Sequence, residues 1–196
     1  NPLYLSLLIQ RLLMMDSEDF TEIGRRGDDM QAIAAYLYET VQNSPEVLEA
    51  LCADILREAA QRINVEQCTK TVELIAVSRH GLREKDLRQI FENEGRDYSA
   101  VDTALLLKYM RPMFGEREDG RIDFSHRTIR EGFRKQIGDE ETLEADRQIC
   151  RALGQLPDDD DVKLRDYYHH CFKTDNKADV VDYIEKVQKD LLQEPV

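Results

Sequence analysis

The sequence contains few of the residues that interrupt regular secondary structure. Glycine occurs 9 times and proline 5 times in 196 residues, which argues against a loop-rich β-sandwich. It also lacks any apolar run approaching about 18 residues, the length that suggests a membrane-spanning helix. No positively charged leader follows Asn1, so no signal peptide is predicted. These absences favour a mainly helical, cytoplasmic protein that does not enter a membrane.

Cysteine is also sparse, and its spacing matches no metal or redox motif. The four cysteines include no CxxC pair; they are Cys52, Cys68, Cys150 and Cys171. Scattered cysteines of this kind indicate reduced thiols in a cytosolic protein. Cys52 and Cys68 fall in apolar periodic stretches, so we expect both to be buried. The run His169-His170-Cys171 does not predict a metal site, because neighbouring residues on a helix point about 100° apart.

Acidic residues outnumber basic ones, but the excess is unevenly spread. The chain has 27 Lys and Arg against 40 Asp and Glu, a formal net charge of −13. Residues 1–45 carry −4, residues 46–138 carry −1 and residues 139–196 carry −8. The acidic C-terminal segment disfavours a phosphate backbone nearby, whereas charge does not exclude the middle segment from nucleic acid. The run Asp158–Asp161 lacks the alternation and glycine of an EF-hand, and we interpret it as a solvated helix cap.

Apolar residues recur at helical spacing over residues 1–64, which predicts a region built of helices. Pro2 suits the first turn of a helix, where an N–H group would have no intrahelical partner. Gly24 and Gly27 predict a loop between two of the helices. Ser44, directly before a proline, predicts the N-cap of the last helix in this region.

Residues 65–138 carry a different pattern, with three helices, a hairpin and a fourth helix. Gly81 marks the turn after the first helix. Ser99 is the predicted N-cap of the third helix, with Asp102 in the place of a capping-box glutamate. Asp119-Gly120 between two short apolar stretches is a strong hairpin signal. The fourth helix is predicted to run from His126 to Ile137. This order of elements predicts a winged-helix domain.

The acidic segment 139–196 predicts further helices at 139–153, 162–172 and 178–192. Helix pairs of this length are typical of the start of a helical repeat, although the sequence has no visible internal repeat. The expected architecture is therefore mainly α-helical and has three parts. These are a helical region at 1–64, a winged helix with one small β-hairpin at 65–138, and the acidic helical segment at 139–196.

Three features fall in an order that resembles a known protein class. They are Asn1-Pro2-Leu3-Tyr4-Leu5 opening a leucine-rich helix, the winged helix, and Phe124-Ser125-His126 followed by Ile129-Arg130-Glu131-Gly132-Phe133. Over about residues 1–138, this order is similar to the second half of the nucleotide-binding module of STAND-class P-loop NTPases, most like the NACHT class. The resemblance implies that 1–64 is a helical lid and that Pro2 packs against the adenine of a bound nucleotide. It also implies that His126 reaches the β-phosphate of ADP and holds the module closed.

The P-loop of that class, G-x-x-x-x-G-K-[ST], is absent from the sequence. We therefore expect the chain to be the C-terminal part of a longer protein, with no cofactor and no catalysis of its own. By resemblance, the complete protein would bind ATP and ADP with Mg²⁺, hydrolyse ATP slowly and act as a switch in signal transduction. Nucleotide exchange would open the closed ADP state, and the C-terminal helices would contact protein partners.

Plainer interpretations are also open. His126 is a candidate helix N-cap or an exposed histidine, and Pro2 an ordinary first-turn proline. A second function is a helical adaptor whose acidic C-terminal helices bind a protein. A third is DNA binding through the predicted helix at 99–110, whose large aliphatic residues and single Lys108 suit packing better than base contacts. Evidence for DNA binding would come from the basic residues of the wing and the next helix: Arg117, Arg121, Arg127, Arg130, Arg134 and Lys135.

Overall fold

The structure is a computed structural model that describes residues 2–15, 17–27 and 30–174 and the single positions 178, 181 and 185. It is mainly α-helical with one small antiparallel sheet, which confirms the predicted fold class. The predicted helix at 178–192 falls almost entirely outside the described residues. The elements are α1 (Pro2–Leu13), α2 (Ser17–Arg26), α3 (Met30–Gln42), α4 (Leu48–Arg62), α5 (Val65–Val77), β1 (Leu82–Arg83), α6 (Glu84–Asn93), α7 (Ala100–Tyr109), β2 (Phe114–Glu116), β3 (Arg121–Phe124), α8 (Arg127–Arg134), α9 (Asp139–Gly154), a π-helical turn (Lys163–Tyr167) and α10 (Tyr168–Lys173).

The internal contacts of the chain define two compact units. Unit 1 comprises Asn1–Lys70, Ser99–Gly115 and Phe124–Phe133, and unit 2 comprises Thr71–Tyr98, Glu116–Asp123 and Arg134–Val196. The predicted division of the sequence after residues 64 and 138 stays a prediction.

Helix α1 packs against α3 and α4 in unit 1. Leu7 on α1 is completely buried, as are Leu51 and Ile55 on α4. Burial of such a side chain contributes about 1.5–3 kcal/mol. Arg11 fixes the same helix, because its Nε donates to a Glu58 carboxylate oxygen of α4 at 3.2 Å. Apolar burial and this ion pair together hold α1 against α4.

The start of α4 differs from the prediction. We expected Ser44 to cap this helix, yet α4 begins at Leu48 and its N-cap residue is Val47, which makes no side-chain cap. The hydroxyl of Ser44 instead donates to the Thr40 carbonyl at 2.7 Å and accepts a hydrogen bond from Arg11 at 2.9 Å. The Ser44 N-cap prediction is wrong because these two contacts, one of them tertiary, occupy the hydroxyl.

Two helix ends also differ from the expected positions. The loop predicted at Gly24 begins later, since α2 continues to Arg26 and Gly27 has a φ of 147°. A glycine inside a helix costs only about 1 kcal/mol relative to alanine, so the amphipathic pattern of α2 outweighs it. Helix α8 was expected to reach Ile137 and ends at Arg134.

The elements from α5 to α8 follow one another in the order predicted for a winged helix. The structure adds a strand, β1, in residues that the sequence predicted to be a turn and the start of a helix. Leu82 and Arg83 pair antiparallel with Ile122 and Arg121 of β3. The sheet order is β1-β3-β2, so the predicted two-stranded hairpin forms part of a three-stranded sheet.

Glycine is required at one turn beside this sheet and is merely suited to another. Gly81 has a φ of +85°, and a Cβ placed there would lie 2.3 Å from the carbonyl oxygen of Ile122. Gly120 in the predicted hairpin turn has a φ of +76° and no atom within 4 Å of such a Cβ. Both turns were predicted, but only Gly81 also allows a close approach of two backbone segments.

In unit 2, helix α9 packs against α6, α10 and the π-helical turn. Ala145, Ile149 and Leu153 form its buried apolar face. Asp160 caps the helical segment that follows, because its Oδ1 accepts the Val162 amide at 2.9 Å. In the part of the chain that the structure describes, no helix combines the length and apolar character needed to cross a bilayer.

Candidate functional site

Phe124, the last residue of β3, anchors the backbone just before His126. Phe124 is buried, and its ring centroid lies 4.7 Å from that of Phe114 and 5.4 Å from that of Phe133. Aromatic pairs at these separations stabilise a fold beyond their burial alone. The motif predicted as a nucleotide sensor therefore begins in a cluster of packed aromatic rings.

His126 lies at the amino end of α8 with its side chain exposed. Its main-chain carbonyl accepts the amides of Ile129 at 3.1 Å and Arg130 at 3.3 Å, the first hydrogen bonds of that helix. The neighbouring Arg127 is also exposed, and its Nε donates to Glu131 one turn later at 2.6 Å. His126 is thus an exposed residue at a helix start, as its plainer interpretation required.

The surroundings of His126 are suited to an anion. A helix amino end has amides without intrahelical partners and a partial positive charge, both of which favour phosphate or carboxylate. An imidazole donates a hydrogen bond to a phosphate oxygen in its neutral or protonated form. The hydroxyls of Ser125 and Thr128 are exposed beside it. This corner of unit 1 can therefore contact a phosphate presented from outside the chain.

Pro2 is the first residue of α1, and it begins an exposed apolar stripe on that helix. Leu5 and Ile9 are each 57% exposed and Leu13 is 73% exposed. Residues three or four apart lie on one helix face. We call Pro2, Leu5, Ile9 and Leu13 the α1 stripe. A flat apolar group such as an aromatic base could pack on it, although Pro2 also satisfies the ordinary preference for proline at a first helical turn.

Both predicted nucleotide-binding residues, Pro2 and His126, belong to unit 1. Both are exposed, so each can be reached by a ligand that another domain holds. No hydrogen bond or ring contact between them is seen among the described residues. Their common contact with a nucleotide accordingly stays a prediction.

Unit 1 also has a polar cavity that the sequence gave no reason to expect. It has a volume of about 360 Å³, and neither Pro2 nor His126 lines it. The lining residues come from α1 to α4 and the segments that follow α1 and α3: Arg11, Leu12, Met14, Met15, Asp19, Tyr36, Glu39, Thr40, Asn43, Glu58 and Arg62.

Carboxylates outnumber arginines in the lining of this cavity, with three of the former and two of the latter. Arg11 is paired with Glu58 at 3.2 Å, and Arg62 donates to Asp19 at 3.1 Å. Burial raises the pKa of Tyr36 to about 12, and its hydrogen bond to Asp19 adds to the effect. Because carboxylates neutralise both arginines, the cavity joins the helices and is not arranged to receive an anion.

The wing arginines that would favour DNA are engaged with carboxylates. Arg121 is only 4% exposed in its side chain and is paired with Asp119 and, at 2.8 Å, with Asp166. Arg117 donates to Asp123 at 2.5 Å. A phosphate backbone would have to displace these acids, so the geometry of unit 2 disfavours DNA binding through the wing.

Helix α7, which would enter a DNA groove, presents an apolar surface. Leu106 and Met110 are buried, as predicted for packing residues, whereas Val101 is 67% exposed and Leu105 is also exposed. The expectation that all the large aliphatic residues serve packing is wrong for the last two. The exposed face carries one cation, Lys108, which is too little to hold a polyanion.

The two adjacent histidines of α10 have different environments. Nδ1 of His170 lies 2.5 Å from Asp146, and both side chains are buried. Burial lowers the pKa of His169 to about 4, and the charge of Lys173 contributes in the same direction. Among the described residues, no group of three or more His, Cys, Asp or Glu side chains could hold a metal ion.

Asp160, in the acidic run, also has a structural role. Burial acts to raise its pKa, but the ion pair with Arg83 and the amides of Val162 and Lys163 outweigh burial and lower it to about 2. Asp160 is therefore a helix cap as predicted, but the expectation that the cap is solvated is wrong for this residue, because its side chain is 11% exposed and paired with Arg83.

Comparison with known proteins adds no relative. No family model, no curated protein and no solved structure matches the chain.

Proposed function

We propose that the chain is the lid and winged-helix part of a NACHT-like signalling ATPase of the STAND class, active in the cytoplasm. The observation that carries the proposal is the position of His126, which is exposed at the start of α8 and held there by the buried Phe124. The order of the Asn-Pro-Leu helix, the winged helix and the Phe-x-His motif is the supporting sequence argument. The proposed role is regulatory and not catalytic.

In the proposed switch, ADP and Mg²⁺ are held by a P-loop domain that is not in this sequence. His126 donates a hydrogen bond to a β-phosphate oxygen, and the amino end of α8 adds a favourable electrostatic contact. Pro2 covers one face of the adenine. A ligand shifts a conformational equilibrium only through contacts that differ between the two states. The contact of His126 would exist in the closed ADP state and would be lost when ATP replaces ADP.

The experiment uses the protein that contains this chain together with its P-loop. Coupling between a nucleotide and a domain contact typically amounts to about 1–3 kcal/mol, so His126→Ala should speed ADP release roughly 5- to 150-fold. Release of a fluorescent ADP analogue measures this rate. Lys135→Ala, an exposed cation just after α8, is the matched control and should leave the rate unchanged.

Two results would overturn the proposal. One is a coding sequence that has no G-x-x-x-x-G-K-[ST] motif ahead of Asn1. The other is an unchanged rate of ADP release in the His126→Ala protein.

The exposed apolar faces favour a second candidate function, a helical adaptor that binds protein partners. The α1 stripe and the exposed Val101 and Leu105 of α7 are surfaces of the kind that partner helices cover. The acidic C-terminal helices could add charged contacts. Ile9→Glu should then abolish capture of a partner while His126→Ala leaves capture intact, and the opposite pattern would favour the nucleotide switch.

A further inference from the structure

Unit 2 brings together two cysteines that are far apart in the sequence. The sulfur atoms of Cys150 on α9 and Cys171 on α10 lie 2.7 Å apart. This distance is shorter than van der Waals contact between two sulfur atoms and longer than the covalent bond of about 2.05 Å. The rings of Tyr167 and Tyr168 pack against the pair. The two thiols are therefore already positioned for bond formation.

A second contact between the same helices holds the sulfurs in place. Asp146 lies one helical turn before Cys150, and His170 directly precedes Cys171. The two residues of the 2.5 Å contact between His170 and Asp146 are both buried. Because each helix contributes one member of both pairs, rotation of α10 that separated the sulfurs would also break the His170–Asp146 contact.

We propose that Cys150 and Cys171 are a reversible oxidation site that takes up a hydroperoxide and forms an intramolecular disulfide. Cys150 is 6% exposed and Cys171 is 0% exposed, so Cys150 is the residue that meets the oxidant. Its thiolate attacks the terminal oxygen of the hydroperoxide ROOH, the O–O bond breaks, and a sulfenic acid forms while RO⁻ takes up a proton and leaves as ROH, which is water for hydrogen peroxide. The Cys171 thiolate then attacks the sulfenic sulfur, the S–O bond breaks, and the hydroxide takes up a proton and leaves as water. Both sulfurs are oxidised and the peroxide oxygens are reduced.

The disulfide would close a loop that contains the acids holding the winged-helix arginines of unit 2. Asp160 accepts from Arg83 at 2.9 Å, and Asp166 accepts from Arg121 at 2.8 Å. Both acids lie between Cys150 and Cys171 in the sequence. Cross-linking reduces the entropy of the open chain, so oxidation would make release of this loop from the two arginines less favourable.

The other two cysteines provide an internal control. All four cysteines are buried, so burial alone does not separate the two pairs of residues. The difference is the neighbouring sulfur that Cys150 and Cys171 have in each other. Neither Cys52 nor Cys68 contacts a second sulfur among the described residues, so both should stay reduced while the α9–α10 pair is oxidised.

The experiment treats the whole purified chain with a small excess of hydrogen peroxide, followed by peptide mapping without reductant. The expected product is one peptide that joins Cys150 to Cys171 within a monomer and disappears on treatment with dithiothreitol. The oxidised chain should unfold roughly 5 to 10 °C higher than the reduced chain. Cys171→Ser should abolish both effects, and the double variant Cys52→Ser, Cys68→Ser should keep both.

Several outcomes would overturn the proposal. They are a sulfinic acid at Cys150 without a cross-link, a disulfide between two chains, and a cross-link that involves Cys52 or Cys68. Circular dichroism would reveal whether Cys171→Ser folds. If it does not, peptide mapping of the unaltered chain still tests whether Cys150 and Cys171 form the disulfide.

Discussion

Gln67 and Ser99 are joined by two hydrogen bonds that complete the cap of α7 from another helix. The Ser99 amide donates to Oε1 of Gln67 at 2.9 Å, and Nε2 of Gln67 donates back to the Ser99 carbonyl at 2.6 Å. Ser99 Oγ in turn accepts the Asp102 amide at 3.1 Å, which confirms the predicted N-cap. Asp102 was expected to bind the Ser99 amide, and that expectation is wrong because Gln67 occupies the amide.

Replacement of Gln67 by alanine should lower the free energy of unfolding by about 2 kcal/mol, because it leaves the part-buried Ser99 amide without its acceptor. The Ser99 carbonyl also loses the Gln67 donor but keeps the Thr103 amide at 3.2 Å. Gln67 also donates to Thr103 at 3.0 Å, and this bond is lost as well. Urea unfolding of the variant measures the change. Gln61→Ala, at an exposed glutamine of α4, should shift the midpoint little. Equal shifts for the two variants would contradict the bridging role of Gln67.

Replacement of Gly81 and of Gly120 by alanine should lower the stability of the chain by different amounts. Gly120→Ala should lower the free energy of unfolding by about 1–2 kcal/mol, because the alanine must adopt the left-handed backbone conformation. Gly81→Ala has the same conformational cost and a Cβ 2.3 Å from the Ile122 carbonyl oxygen, so its total should exceed about 3 kcal/mol. Thermal unfolding of both variants tests this order, and a Gly120 variant that is the less stable of the two would refute it.

Loss of the Asp166 carboxylate should cost more stability than loss of an exposed carboxylate of unit 2. Its removal by Asp166→Ala leaves the buried Arg121 with Asp119 alone and takes a partner from His80, 2.7 Å away. Breaking a buried ion pair costs about 3–5 kcal/mol. Glu144→Ala removes a pair in which both side chains are about half exposed and should cost less than about 1 kcal/mol. Denaturant titration compares the two, and similar losses would contradict the prediction.

The acid limb of the stability curve should depend on Asp160. Its pKa is 3.8 in the unfolded reference and about 2 in the folded chain, so its contribution is complete above about pH 4. That stability is lost as the pH falls through about 2, because the folded state then takes up the proton. Asp160→Asn should flatten this part of a plot of melting temperature against pH. Asp159→Asn, at the exposed neighbour, should leave the slope as it is, and an unaltered slope in Asp160→Asn would refute the assignment.

The parts of the fold that could be predicted depend on local signals. Helical periodicity located most helices, and the Asp119-Gly120 turn and the Ser99 cap each need only neighbouring residues. Strand β1 has two residues, too short to show a period of its own, and it forms only because β3 lies beside it. Ser44 failed as a cap for a similar reason, since the contact that competes comes from Arg11, 33 residues earlier.

The candidate site shows the same division. The Phe-x-His order placed His126 at the start of a helix from sequence alone, and the structure agrees with that position. The ring cluster around Phe124, the pairing of Arg121 with Asp166 across 45 residues and the approach of Cys150 to Cys171 depend on tertiary packing. Such contacts cannot be predicted from residue type and spacing along the sequence.

The π-helical turn at Lys163–Tyr167 marks the place where the chain can lose a residue without changing the contacts of unit 2. A π turn accommodates one residue more than an α-helix does over the same segment. Deletion of a single residue within the turn would make the helix regular and leave the residues after it in the same orientation. Deletion of His169, beyond the turn, would instead rotate His170 and Cys171 by about 100° and separate both from their partners on α9. The effect of a deletion in this helix therefore depends on which side of the end of the turn it falls.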